Sequence, residues 1–274
     1  MAKNSTPDFV LRPFEGIPGE TDLVAMREVV PAATAKARTT AEHGSRDVLF
    51  VTVLPEGWSA LHRTDGVVLV ALQTLAGSGD ASRDLADVLL EALDTDPGTS
   101  VQANGLPGAG PRLQDVLDLS EPLVAQVHDD FGFWLDPSTE VDAEMSAALE
   151  ESAETIIPTA KVASVESAYW CRMSREFLRW ALPYDEDVLI DAVARLHARR
   201  ESGLGDGRFV GAFRSSGILV PVWELARGTE ADELEEPALA FRARLDEALA
   251  VDAPLDANER RARAGIVARQ VTLR

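Results

Sequence analysis

Four histidines, one cysteine and 46 carboxylates are the residues of this 274-residue chain best suited to move protons, attack carbonyls or hold a metal. His43, His62, His128 and His197 are scattered. None sits in a His-Glu-x-x-His, His-x-His or Cys/His spacing that would turn zinc ligands onto one face. His128-Asp129-Asp130 comes nearest, but neighbouring side chains on a strand point to opposite faces, so only His128 and Asp130 would converge. A solvated turn or strand end is the simpler reading. Cys171 is alone, so no internal disulfide can form. Placed mid-helix, it would diverge from Trp170 and Arg172 and serve as a small core residue. Serine chemistry lacks its Gly-x-Ser-x-Gly elbow. The clusters Gly105–Gly110 and Gly203–Gly207 lack both the Lys-Ser/Thr of a phosphate loop and the strand-to-helix setting of a dinucleotide fingerprint. Acidic runs such as Asp185-Glu-Asp187 and Glu230–Glu236 suit solvated helix starts, where the dipole favours them. The residues therefore predict no catalytic group, no metal site and no cofactor.

What the chain does display is a repeated pattern. Arg63-Thr-Asp-Gly followed by Val67–Leu72 matches Arg214-Ser-Ser-Gly followed by Ile218–Trp223. Val88–Asp96 matches Arg244–Asp252, and Met26–Pro31 matches Leu178–Pro183. The offsets of about 151 to 156 residues drift little, as an internal duplication would leave them. In each turn the glycine supplies a positive φ between two strands.

The elements around these motifs follow from periodicity. Thr21 or Asp22 can cap a helix whose face is Leu23, Met26 and Val30, and Ala32–Thr40 reads as a further helical stretch. Asp47–Leu54 is a buried-strand pattern, and Ser59–Arg63 pairs with Val67–Gln73. Ser82 opens an amphipathic helix with Leu85, Val88, Leu89 and Leu93 on one face. Asn104–Pro111 is a loop, Arg112–Asp118 a short helix, and Leu123–Trp134 a strand or bent pair of strands. Val141–Thr155 is an acidic helix. Ser164–Leu182 reads as a helix carrying Tyr169, Trp170, Met173, Phe177 and Trp180. Asp185–Arg200 is another helix, Arg208–Phe213 and the run to Leu225 form a second hairpin, and Pro237–Leu249 is a helix. The last segment begins helical and ends as a strand over Val267–Leu273. The expected fold is α+β, two tandem, internally duplicated units of helix, antiparallel hairpin and helix, with no βαβ rhythm. Residues 1–13 are expected to be a disordered tail, 14–136 the first unit, 137–160 an acidic helical linker and 161–274 the second unit.

Within that frame the repeat nominates residues. Arg27 and Arg179 fall at matching places, as do Arg63 and Arg214, and an arginine fork suits a structural ion pair or an anionic ligand. Trp170 and Trp180 would line one helix face, either as core or as interface anchors. His62 stands where the other copy has Phe213, which favours a space-filling role.

Composition narrows the classes. The formal charge of −20 opposes binding to nucleic acid, which needs a basic footprint, and to anionic lipid. No apolar run approaches the roughly 18 to 20 residues of a membrane helix. Met1–Pro7 has no apolar core of a signal peptide, so a cytoplasmic protein is expected.

Phe14-Glu-Gly-Ile-Pro-Gly-Glu-Thr-Asp-Leu-Val-Ala-Met-Arg-Glu-Val-Val-Pro-Ala-Ala-Thr34, Gly217–Leu225 and Glu259–Arg274 resemble an uncharacterised actinobacterial domain-of-unknown-function family, some of whose members carry the label preprotein translocase SecA. The resemblance spans nearly the whole chain and implies no catalytic residues. This sequence has neither the cysteine cluster of a SecA-type zinc tail nor a nucleotide motif. At the level of fold the helix–hairpin–helix units are similar to SseB-like and type III chaperone-like modules. The expected function is a non-enzymatic protein-binding or adaptor module with an unknown protein partner, as a monomeric pseudo-dimer or a homodimer. The alternative is a sensor or enzyme for an anionic small ligand, with a pocket between the repeats lined by Arg27, Arg63, Arg179 and Arg214.

Overall fold

The computed structural model describes residues 9–73, 77–103, 105 and 107–272. The chain divides into two compact units, Met1–Ile156 and Ile157–Arg274. Residues 1–8 of the expected tail, Asn104 and Leu106 of the expected loop, and Leu273 of the expected last strand lie outside the described residues.

The first unit runs α1 (Glu20–Glu28), β1 (Ala33–Arg38), β2 (Asp47–Val51), β3 (Ala60–His62), β4 (Val68–Ala71), α2 (Ala81–Leu93), β5 (Thr99–Val101), α3 (Leu113–Val116), β6 (Gln126–Val127) and α4 (Ala143–Ala153). Its sheet has the order β5-β3-β4-β2-β1-β6. The expected helix over Ala32–Thr40 is instead strand β1, paired antiparallel with β2 from Thr34↔Val51 to Arg38↔Asp47. Alternating small and polar residues there carry little helical amphipathicity, and ladder pairing on both sides decides the outcome. On α2, Leu85, Val88 and Leu89 are buried together, the face that the 3.6 period marks out. The end of the expected disordered tail is held in place. The Val10 N–H donates to the Gly79 carbonyl at 2.9 Å, and Pro13 is buried.

The second unit runs β7 (Thr159–Lys161), β8 (Ala168–Arg172), β9 (Glu176–Trp180), α5 (Glu186–Ala198), β10 (Arg208–Ser215), β11 (Ile218–Glu224), α6 (Glu235–Leu249), α7 (Ala257–Val267) and β12 (Val271–Thr272). The expected helix over Ser164–Leu182 is a hairpin, β8 paired with β9 through Ala168↔Trp180 and Trp170↔Leu178. The apolar residues at 170, 173, 177 and 180 fit a helical period. Ala168 and Trp170, and Leu178 and Trp180, equally fit period two, and aromatic residues favour the pleated choice. Trp180, Trp223, Phe209 and Phe241 then meet with the buried faces of α5 and α6 in one core. The Trp223 and Phe241 rings pack edge to face at 4.9 Å between centroids, a favoured aromatic geometry.

The fold class is α+β, as expected. The second sheet has the order β12-β10-β11-β9-β8-β7, which places its strands as the first sheet does. Polarity differs: β2 and β4 run parallel, whereas β9 and β11 run antiparallel. A short 3₁₀ connection at Pro55–Gly57 links β2 to β3, but the 13-residue α5 stands between β9 and β10 and returns the chain from the other end of the sheet. The structure therefore does not confirm a simple duplication.

Candidate functional site

Each arginine nominated by the repeat is engaged within its own unit. Arg63, just after β3, grips the Asp65 carboxylate with Nε (2.9 Å) and Nη2 (2.6 Å). Its Nη1 donates to the carbonyls of Phe133 and Leu135. Arg27 on α1 donates from Nη1 to the Leu72 carbonyl at 2.9 Å. Burial pulls its pKa below the ordinary value, with the neighbouring Glu28 opposing. Arg214 on β10 donates to Glu186 Oε2 at 2.6 Å. Arg179 contacts Met173 Sδ at 3.5 Å and lies beside the Cys171 thiol. The matching of Arg27 with Arg179 does not survive, because one is on a helix and the other on strand β9.

The two nominated indoles are core groups. Trp180 is 0% exposed and donates from Nε1 to the Glu166 carbonyl. Trp170 is 5% exposed, bonds to the Thr229 carbonyl and lies under the Arg172 guanidinium, 4.9 Å from its ring centroid. Neither offers a surface anchor.

Three of the four histidines, His62, His128 and His197, are held in hydrogen bonds. His62 does more than fill space: buried on β3, its Nδ1 lies 2.8 Å from the Thr95 carbonyl and its Nε2 3.3 Å from Arg46 Nη2. Arginine can only donate, so Nε2 accepts and Nδ1–H faces the carbonyl. His128 Nε2 meets Thr34 Oγ1 at 2.9 Å. Burial depresses its pKa, and Asp130 and Asp129 oppose that shift. His197 Nδ1 meets Ser202 Oγ. Cys171 lies on β8, not on a helix. Burial raises its thiol pKa against the pull of Arg179, which lowers the thiolate fraction and hence its reactivity. Among the described residues no group of three or more His, Cys, Asp or Glu could hold a metal.

The opening motif is explained by packing. Phe14 and Ile17 are buried. Arg12 makes a bidentate pair with Glu20, both contacts 2.7 Å. The expected caps do not form. Gly19, at φ 86, precedes the helix, and Asp22 accepts instead from the Ala125 N–H at 2.9 Å. A second buried charge, Asp80, sits before α2 with Arg112 Nε at 3.0 Å and Arg83 Nε at 3.6 Å. Arg112 and Gln114 both donate to the Pro13 carbonyl, tying residue 13 to this corner.

Of two further features, the first escaped the sequence reading and the second is the acidic helix expected over Val141–Thr155. The first is an open cleft of about 390 Å³ in the second unit, lined by Arg200, Glu201, Gly203, Gly205, Pro237 and Arg244. It lies between the end of α5, the glycine loop and α6. The only sequence signal for it was Gly203-Leu-Gly-Asp-Gly207 close behind Arg199-Arg200, which lacks the pattern of a phosphate loop. The second is α4. Asp142 caps it by accepting from the Met145 N–H at 2.8 Å, yet no residue of the helix is buried. Met145 and Leu149, one helical turn apart, are half-exposed, as is Ile156 beyond the end of the helix. From residue 129 to residue 160 there are nine carboxylates and no Lys, Arg or His.

The chain belongs to the Family of unknown function (DUF5926), whose profile matches residues 13–274. No curated protein and no solved structure gives a significant match.

Proposed function

We propose that this protein is a non-enzymatic binding module and that α4, with its flanks, is the element a partner protein grips. The observation that carries this reading is an 11-residue helix that buries none of its residues. Helices shorter than ~12–15 residues are marginal in water without tertiary packing. Met145 and Leu149, at i and i+4, give α4 the start of the apolar stripe that a groove-binding helix presents, and Ile156 follows just beyond its end. The acidic surroundings specify a basic groove on the partner, because complementary charge steers association and suppresses wrong partners. The engagement of Arg27, Arg63 and His62 in structural hydrogen bonds supports a binding role over a catalytic one.

The test compares the full chain with Leu149→Glu in affinity isolation and crosslinking from the native host, alongside hydrogen exchange over residues 143–153. The expected result is fast exchange in the free protein, and a specific basic partner that protects α4 and is lost in the variant. Capture of the same proteins by both forms, or α4 amides already protected in the free chain, would overturn the reading.

A further inference from the structure

In a chain of net charge −20, several arginines of the second unit are matched by a carboxylate: Arg172 meets Glu230, Arg175 meets Glu224, Arg214 meets Glu186 and Arg263 meets Asp191. The cleft between α5 and α6 departs from this. Arg200 and Arg244 both line it, and among the described residues neither forms an ion pair. Glu201, the carboxylate among the lining residues, is held by Arg199 Nε at 3.0 Å. The Arg244 guanidinium is fixed in place: Nη2 donates to the Gly203 carbonyl at 3.0 Å, and its plane lies over the Phe241 ring at 5.6 Å. Its Nε is buried without an acceptor.

Arg200 adds a conformational observation. Helix α5 ends with the Glu201 N–H on the Leu196 carbonyl and the Arg200 N–H on the His197 carbonyl, the closing pattern whose left-handed position is usually glycine. Arginine occupies that position here, at φ 62. Left-handed backbone is costly for a residue with a β-carbon, and such strain clusters at ligand clamps.

We propose that this cleft binds a small oxyanionic compound, a carboxylate or phosphate, between the guanidiniums of Arg200 and Arg244. Its volume falls in the range of about 300–1,000 Å³ typical of small-ligand sites. Arginine's planar fork matches either oxyanion. The proposal is independent of the partner reading: Leu149→Glu leaves the cleft intact, and Arg200→Gln leaves α4 intact.

Inorganic phosphate and malonate are titrated into the full chain at constant ionic strength, with chloride as reference, following the amide resonances of Gly203 and Gly205. A saturable response to either anion is expected, phosphate identifying a phosphate ligand and malonate a carboxylate. Arg200→Gln should raise the apparent Kd about tenfold or more, the loss of a charge-assisted hydrogen bond. Arg244→Gln should do the same, but it also removes the tether to Gly203. Arg200, which has no such tether, keeps the test clear if Arg244→Gln fails to fold. A response no greater than that to chloride, or an Arg200→Gln titration matching the parent chain, would overturn the proposal.

Discussion

Gly19 and Leu123 are in such close backbone contact that a β-carbon on Gly19 would lie 2.0 Å from the Leu123 carbonyl oxygen. The Leu123 N–H meanwhile donates to the Pro18 carbonyl at 2.9 Å. Two segments about a hundred residues apart in sequence are thus joined backbone to backbone just before α1, and φ at Gly19 is 86. Both facts demand glycine, one through sterics and one through the left-handed conformation.

Gly19→Ala should therefore cost the strain of a left-handed residue plus a displaced segment at Leu123, together about 3 kcal/mol or more. Gly16 is the internal control, since it has φ 86 with no atom within 4 Å of an added β-carbon. Gly16→Ala should cost only ~1 kcal/mol. Denaturant midpoints for both variants check the difference, and equal losses would contradict the close approach at Leu123.

The turns were legible in the sequence because their backbone requires particular residues. Gly66 takes φ 85, while Ser216 and Gly217 take φ 48 and 75, a two-residue hairpin with both central residues left-handed. The same requirement limits the apparent repeat. Small polar residues, glycine and an apolar run are what each hairpin needs, so their recurrence does not establish ancestry. Met26–Pro31 and Leu178–Pro183 resemble each other in sequence but start on a helix and a strand. Ser164–Leu182 satisfied both periods, and only the pairing of Trp170 with Leu178 decides between them. The cleft was hidden for another reason: Arg200 follows the end of α5 and Arg244 lies on α6, and no local spacing links them.

His128 should make stability pH-dependent. Burial lowers its folded-state pKa against the ordinary value of 6.5, despite Asp130 and Asp129. The unfolded chain therefore takes up the proton first, and stability falls as pH drops below about 6.5 toward the folded value. His128→Gln removes this term. Thermal midpoints at several pH values should decline less steeply on acidification for the variant, and identical slopes would show that His128 does not contribute.

Trp180 should behave as a core residue. It is fully buried and lies 6.0 Å from the Phe241 ring and 6.3 Å from the Trp223 ring, centroid to centroid. Trp180→Ala should cost about 3–5 kcal/mol. Trp180→Phe should cost less, with loss of the hydrogen bond to the Glu166 carbonyl. The fluorescence lost in Trp180→Phe should be the fraction that iodide does not quench. A quenchable loss with unchanged stability would return Trp180 to the surface.

Arg63 should be the clasp of the turn at Gly132–Trp134, a 3₁₀ segment whose Trp134 ring stacks on Phe131 at 4.4 Å. Three anchors hold it: Arg63 Nη1 on the carbonyls of Phe133 and Leu135, and Trp134 Nε1 on the Val53 carbonyl. Arg63→Ala removes two of them, for about 1–3 kcal/mol, and should expose the turn to proteolysis before the rest of the unit unfolds. Arg63→Lys should fall between, because an ammonium cannot span both the Asp65 carboxylate and the two carbonyls as the guanidinium fork does. The same substitution has a second readout. The hydrogen bonds from Arg63 are the chief cause holding the Asp65 carboxyl below the usual carboxylate range. Their stabilisation is present above the unfolded value and is lost as pH falls through the folded one. In Arg63→Ala the Asp65 pKa should rise toward its ordinary value, and this part of the acid sensitivity should vanish. Carboxyl NMR titration of Asp65 reads it directly; an unmoved Asp65 pKa would mean that its N–H bond from Val67, at 3.1 Å, outweighs the guanidinium.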